Sequence, residues 1–112
     1  MPQDRKDAPD LEGVVAASDL VAFQPGSVVS RSLVQKPTGT VTVFAFGAGE
    51  GLSEHTAPFD ALVMGLEGEA DITIAGAPHR VGPGQLLKLA AGKPHAVAAA
   101  TPFKMLLVMI RA

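Results

Sequence analysis

Two glycine-flanked histidines carry most of the chemistry this 112-residue chain could perform. His55 lies in Gly49-Glu-Gly-Leu-Ser-Glu-His-Thr-Ala and His95 in Gly92-Lys-Pro-His. A neutral imidazole has one donor and one acceptor nitrogen, so each ring could ligate a metal, relay a proton or hydrogen-bond an acid or carbonyl ligand. Each could equally be a structural histidine, with His55 bonded to Glu54, Asp60 or a backbone carbonyl. Glu54 adjoins His55 and should point to the opposite side of a strand, which suits a salt bridge better than ligation. His79 follows Ala77-Pro78 on the second strand of a hairpin and reads as a solvated residue. Lys88, between Leu87 and Leu89, either reaches the rim of the fold or offers its charge to an anionic ligand. Met64 and Met105, with Phe44, Phe46 and Phe103, could line an apolar pocket or fill the core.

The elements that must position these side chains are short strands. Apolar or alternating runs cover 28–34, 40–46, 61–66, 69–75, 79–81, 85–89, 95–99 and 103–110. Turn chemistry separates them: Lys36-Pro-Thr-Gly39, Glu67-Gly68, Ala75-Gly76, Gly82-Pro-Gly84, Ala91-Gly92-Lys-Pro94 and Thr101-Pro102. Short strands at this spacing build a sandwich or barrel. Ile72 and Ile74 share one face of their strand, Thr40 and Thr42 one face of theirs, and both strands should have a wet side. The run Phe103-Lys-Met-Leu-Leu-Val-Met-Ile110 is nearly all apolar, as in a strand covered on both faces, and motivates a homodimer. Residues 14–17 could form a short strand, and 18–23 either a capped helical turn or an edge strand. Residues 1–10 read as a flexible polar tail, and 11–112 as one domain.

Bulk properties exclude several functions. The formal charge is -2 with no cluster of either sign, which argues against nucleic acid or a membrane surface as the partner. With no cysteine there is no disulfide, thiolate nucleophile or sulfur-ligated zinc. The polar start lacks the apolar stretch of a secretory signal, and no segment approaches the ~20 apolar residues of a membrane span, so a cytoplasmic location is expected. Nucleophile-elbow, phosphate-loop and paired-carboxylate patterns are absent, leaving acyl transfer, nucleotide use and glycoside hydrolysis without support.

The spacing of the glycines and histidines resembles that of small single-domain cupins, the RmlC-like double-stranded β-helix superfamily. The first cupin motif runs Gly, five residues, His-x-His, three or four residues, Glu, six residues, Gly. Here it reads Gly49, His55, Ala57, Ala61 and Gly68. The second runs Gly, five residues, Pro-x-Gly, two residues, His, three residues, Asn, and here reads Gly84, Ala90, Gly92, His95 and Ala99. The stretches Ser53 to Ala61, Glu67 to Ala70 and Phe103 to Leu107 are similar to a bacterial subgroup of very short cupins with no general assigned activity.

The resemblance implies an all-β jelly-roll barrel of two antiparallel sheets with a ligand site at its mouth. It implies a divalent transition metal, Zn, Fe, Mn, Ni or Cu, as the cofactor if there is one. Only two of the family's ligands remain, as His55 and His95. Asp60 is the candidate third ligand or general base: it precedes the family's Glu position by one residue, and a bulge could turn it inward. In an alternative register Ser53 and His55 form the His-x-His pair, with Asp60 four residues on. Alternatively, Asp60 caps the turn after Pro58-Phe59 and faces water. The expectation is a small-molecule-binding cupin with metal site His55, His95 and Asp60, and a ligand pocket of His55, His95, Met64 and Met105. The alternatives are a metal-free binding or sensor module, and an accessory protein with a filled barrel. Whether the chain is an enzyme stays open, because cupins host many unrelated reactions.

Overall fold

The computed structural model describes residues 13–111, so the tail assigned to 1–10 lies outside the described residues. Nine strands follow one 3₁₀ turn, Ala17–Leu20. They are β1 (Val28–Lys36), β2 (Gly39–Phe46), β3 (Gly51–His55), β4 (Asp60–Glu67), β5 (Ala70–Ile74), β6 (Ala77–Val81), β7 (Leu86–Leu89), β8 (His95–Ala99) and β9 (Phe103–Ile110). The expected runs are all present. Sequence reading left β3 out of its regular runs, because Gly51-Leu-Ser-Glu-His has one apolar side chain and no alternation to detect.

The strands form two antiparallel sheets, ordered β1-β2-β9-β4-β7 and β3-β8-β5-β6. Their facing sides enclose the core, in which Phe46, Val63, Ile72 and Phe103 are fully buried with Met105 beside them. Alternation on β5 is as expected: Ile72 is inside the barrel, while Asp71 holds Arg80 of β6 on the outside at 2.8 Å. That hydrogen-bonded guanidinium keeps the Asp71 carboxyl below its usual range. On β2 the alternation was legible but its faces were not. Phe44 and Phe46 point into the barrel, so Thr40 and Thr42 share the inner side, and Val43 and Ala45 are buried on the outer one.

What buries the outer side is the chain's own amino-terminal segment. Leu20 and Val21 pack on Val43 and Ala45, with Val15, Phe23, Leu66 and Leu106 around them. Two cations fasten this strap. Arg31 donates to the Leu20 carbonyl at 2.8 Å, and buried Lys104 donates to the Ser18 carbonyl at 2.7 Å beneath the Phe23 ring. A charge at that depth is tolerated because it is bonded and lies 3.5 Å from Glu67. Residues 14–16 are therefore not a strand, and 17–20 make the helical turn without a side-chain cap. The apolar β9 run is explained in part by this strap: Leu106 packs against the cluster that Leu20 and Val21 form with Val43 and Ala45.

Candidate functional site

His55 and His95 meet at one end of the barrel. They are register partners on β3 and β8, and their Nε2 atoms are 3.1 Å apart with the rings at 71°. A β-bulge makes this contact. Between Leu52, opposite Val97, and His55, opposite His95, β3 spends three residues where β8 spends two. In a regular strand the odd spacing would send Leu52 and His55 to opposite faces, but the extra residue puts both on the inner one. The bulge anticipated near Asp60 thus lies at Ser53–Glu54 instead, and it aims His55. At Gly51 an added Cβ would collide with the Val97 carbonyl, so only glycine lets β3 lie this close to β8.

The backbone also sets the tautomers. His55 Nδ1 donates to the Ser53 carbonyl at 2.9 Å and His95 Nδ1 donates to the Lys93 carbonyl at 3.2 Å. A carbonyl can only accept, so both rings carry hydrogen on Nδ1 and, when neutral, present a lone pair at Nε2. Two lone pairs facing each other at 3.1 Å repel. A cation between them, a proton or a metal ion, relieves that repulsion, as does water donating to exposed His55. Carbonyl-bonded Nδ1 with free Nε2 is the orientation that metal-ligating histidines adopt. At the ~2.0–2.1 Å of an imidazole–metal bond, two ligands are separated by roughly 2.9 Å at a right angle and 3.4 Å at a tetrahedral one, and 3.1 Å falls between. The residues present fit two positions of such an ion. Among the described residues no cluster of three His, Cys, Asp or Glu could hold it.

Asp60 is not brought to the pair. Its Oδ1 accepts from the Ala91 amide at 2.9 Å. Its neighbours Ala61 and Val63 point inward, which leaves Asp60 on the outer face of β4. There, with Leu62, Lys88 and Ile110, it borders a shallow groove of about 280 Å³. Met64 alternates with Val63 and lies on that outer face as well, opposite Leu86 and Leu106. Met105 does point inward, but it is a core residue opposite Phe44 and Gly65, with 1% of its surface exposed. His79 is exposed on edge strand β6, and Lys88 is exposed beside Leu62.

Two contributors were invisible to sequence reading. The Ser53 and Lys93 carbonyls orient the rings, and a backbone acceptor leaves no mark in a sequence. Thr40 and Thr42 lie on the inner face at the start of β2. Because β2 runs into β3 through residues 47–50, that start lies at the same end of the barrel as the end of β3, where His55 stands.

A protein-family model described as a cupin domain matches residues 42–110. The chain belongs to the cupin family. Solved structures agree with this cupin in fold over most of its length. A conserved protein of unknown function from Streptococcus pyogenes is 37% identical, with a TM-score of 0.86 over 89% of this chain and 88% of that one. A cupin superfamily protein from Desulfitobacterium hafniense is 30% identical, with a TM-score of 0.87 over 94% and 95%. A cupin 2 conserved barrel domain protein from Leptotrichia buccalis is 43% identical over 84% of this chain but 46% of that longer one, with a TM-score of 0.81. No curated protein matches. The motif glycines have a backbone reason in this cupin: Gly49, Gly68, Gly84 and Gly92 all have positive φ. Gly92 further donates to the Ala57 carbonyl at 2.9 Å, tying the loop that follows His55 at the end of β3 to the loop that precedes His95 at the start of β8.

Proposed function

We propose that this cupin binds a small molecule at the barrel mouth through one divalent transition ion held by His55 and His95. The observation that carries the reading is the 3.1 Å contact between two Nε2 atoms whose rings are both turned by Nδ1–carbonyl bonds. The ion would supply Lewis acidity or oxygen activation. The chain's own groups do the rest. His55 and His95 bind, the Ser53 and Lys93 carbonyls fix their orientation, and Ile74, register partner of His95, adds an apolar wall. Asp60, committed to the Ala91 amide, is left out of the ligand set.

The test is titration of the metal-stripped, untagged protein with Ni²⁺ or Zn²⁺ by calorimetry. One equivalent should bind, and His55→Ala and His95→Ala should each abolish it. No saturable binding, or binding that survives both substitutions, overturns the metal reading in favour of a metal-free module whose histidines contact the ligand directly.

The reading includes a second copy of the chain as partner. Beyond the strap, the outer face of the five-stranded sheet leaves Leu62, Leu86 and Ile110 between 41% and 66% exposed. Lys88 and Asp60 flank Leu62 there. A two-fold axis passing between Lys88 and Asp60 would set Lys88 of one copy against Asp60 of the other, which would make the patch complement itself in charge as well as in apolarity.

A further inference from the structure

We infer that Asp60 is a positioning residue for the histidine pair: through the turn at 90–93, its carboxylate holds the Lys93 carbonyl where His95 needs it. The inference rests on the pair in the reading above and not on its ion. Metal-free and neutral, His95 has two tautomers. With hydrogen on Nδ1 it donates to the Lys93 carbonyl at 3.2 Å and offers a lone pair at Nε2. With hydrogen on Nε2 it donates to His55 Nε2, 3.1 Å away, and the pair closes on itself. That second form ends the repulsion between the two lone pairs, so the first is favoured only while the carbonyl stays in place. The position of the carbonyl therefore decides whether the barrel mouth presents a free acceptor or a self-satisfied pair.

The carbonyl belongs to a turn with few degrees of freedom. Lys93 donates to the Ala90 carbonyl at 3.3 Å and Gly92 has φ +82°, the pattern of a type II turn. Pro94 has a fixed φ and keeps Lys93 extended, so the segment swivels chiefly at Ala91 and Gly92. Those are the two residues whose amides the segment 57–60 holds. Gly92 donates to the Ala57 carbonyl at 2.9 Å, and Ala91 donates to Asp60 Oδ1 at 2.9 Å. On the other side, Ala75 donates to the Pro94 carbonyl at 2.8 Å. Among the described residues, Asp60 is the one side-chain acceptor that holds this turn, and an ionised carboxylate makes its bond the stronger kind. Asp60 also borders the outer groove with Leu62, Lys88 and Ile110, so a single carboxylate joins that face of the sheet to the barrel mouth.

The experiment is ¹H–¹⁵N NMR of the ring nitrogens in the metal-free protein at pH 8, in which the 3 histidines can be assigned one by one. In the wild type, His95 should be chiefly the Nδ1–H tautomer. Asp60→Ala should raise the ratio of Nε2–H to Nδ1–H at His95 by about threefold or more, the scale of one lost hydrogen bond. His79, exposed on β6, should not change. Asp60→Asn, whose amide oxygen still accepts from Ala91, should keep the wild-type ratio. Asp60→Leu, which sets an apolar side chain beside Leu62 and Ile110, gives the same reading as the alanine variant if that one folds poorly. Any of three results overturns the inference: an unchanged His95 ratio in the alanine or leucine variant, an equal shift in the asparagine variant, or a wild-type His95 already in the Nε2–H form. Ni²⁺ titration decides the metal reading separately, because no ion takes part in this measurement.

Discussion

Replacing His95 with leucine should make the metal-free protein more stable while destroying its response to metal. In the metal-free, neutral pair, Nε2 of His95 faces a second acceptor at 3.1 Å, and His95 itself has 8% of its surface exposed. Leaving a buried acceptor without a donor costs about 1–3 kcal/mol, and the substitution removes that cost. It also removes the bond from Nδ1 to the Lys93 carbonyl, worth about 0.5–1.5 kcal/mol, at the low end because exposed Lys93 lets water take over. The difference is about 1 kcal/mol in favour of His95→Leu, or roughly 3–6 °C in Tm for a domain of this size. An ion at a hundred times its Kd stabilises the wild type by about 2.7 kcal/mol and the variant not at all. The assay is thermal melting by far-UV circular dichroism, since the chain has no Trp or Tyr, at pH 8 with and without Ni²⁺. The order of Tm should be wild type with Ni²⁺, then the variant, then metal-free wild type. A variant at least 2 kcal/mol less stable than the metal-free wild type would refute the claim that the two nitrogens oppose each other, and a Ni²⁺ shift retained by the variant would refute the shared site.

Three further outcomes are expected. Gly51→Ala should cost about 2 kcal/mol or more and lower metal affinity, because its Cβ strikes the Val97 carbonyl and pushes β3, with His55, away from β8; urea unfolding and Ni²⁺ calorimetry check both effects. Light scattering should give twice the chain mass, returning to the single mass in Leu62→Asp with Leu86→Asp; a wild-type monomer at micromolar concentration removes the dimer. The Asp71 carboxyl, held low first by its hydrogen bond to Arg80, should titrate below 3.8 by NMR and move up in Arg80→Met. Because its folded value is depressed, its stabilising contribution is present above the unfolded value and disappears as pH falls through the folded one. An unchanged midpoint in the variant would show that Arg80 does not set it.

By itself the sequence determined the barrel. Turn residues at regular intervals and alternating runs such as Asp71-Ile-Thr-Ile74 are local signals, and the motif glycines mark backbone conformations that other residues adopt only under strain. It also singled out the two histidines whose rings meet, because imidazole is rare here and the glycines around His55 and His95 are spaced as in cupins. Only the tertiary structure decided which neighbours join them. Side-chain direction along a strand has a period of two, so one unpaired residue reverses everything beyond it. The bulge at Ser53–Glu54 is such a residue, and nothing in its side chains announces it. Asp60 and Met64 fell outside the barrel, and Thr40 and Thr42 inside, for the same kind of reason. Alternation shows which residues share a face, but a face becomes inner or outer only when another layer covers it. On β2 that layer is the strap bound by Arg31 and Lys104, whose carbonyl partners lie 11 and 86 residues away in the chain.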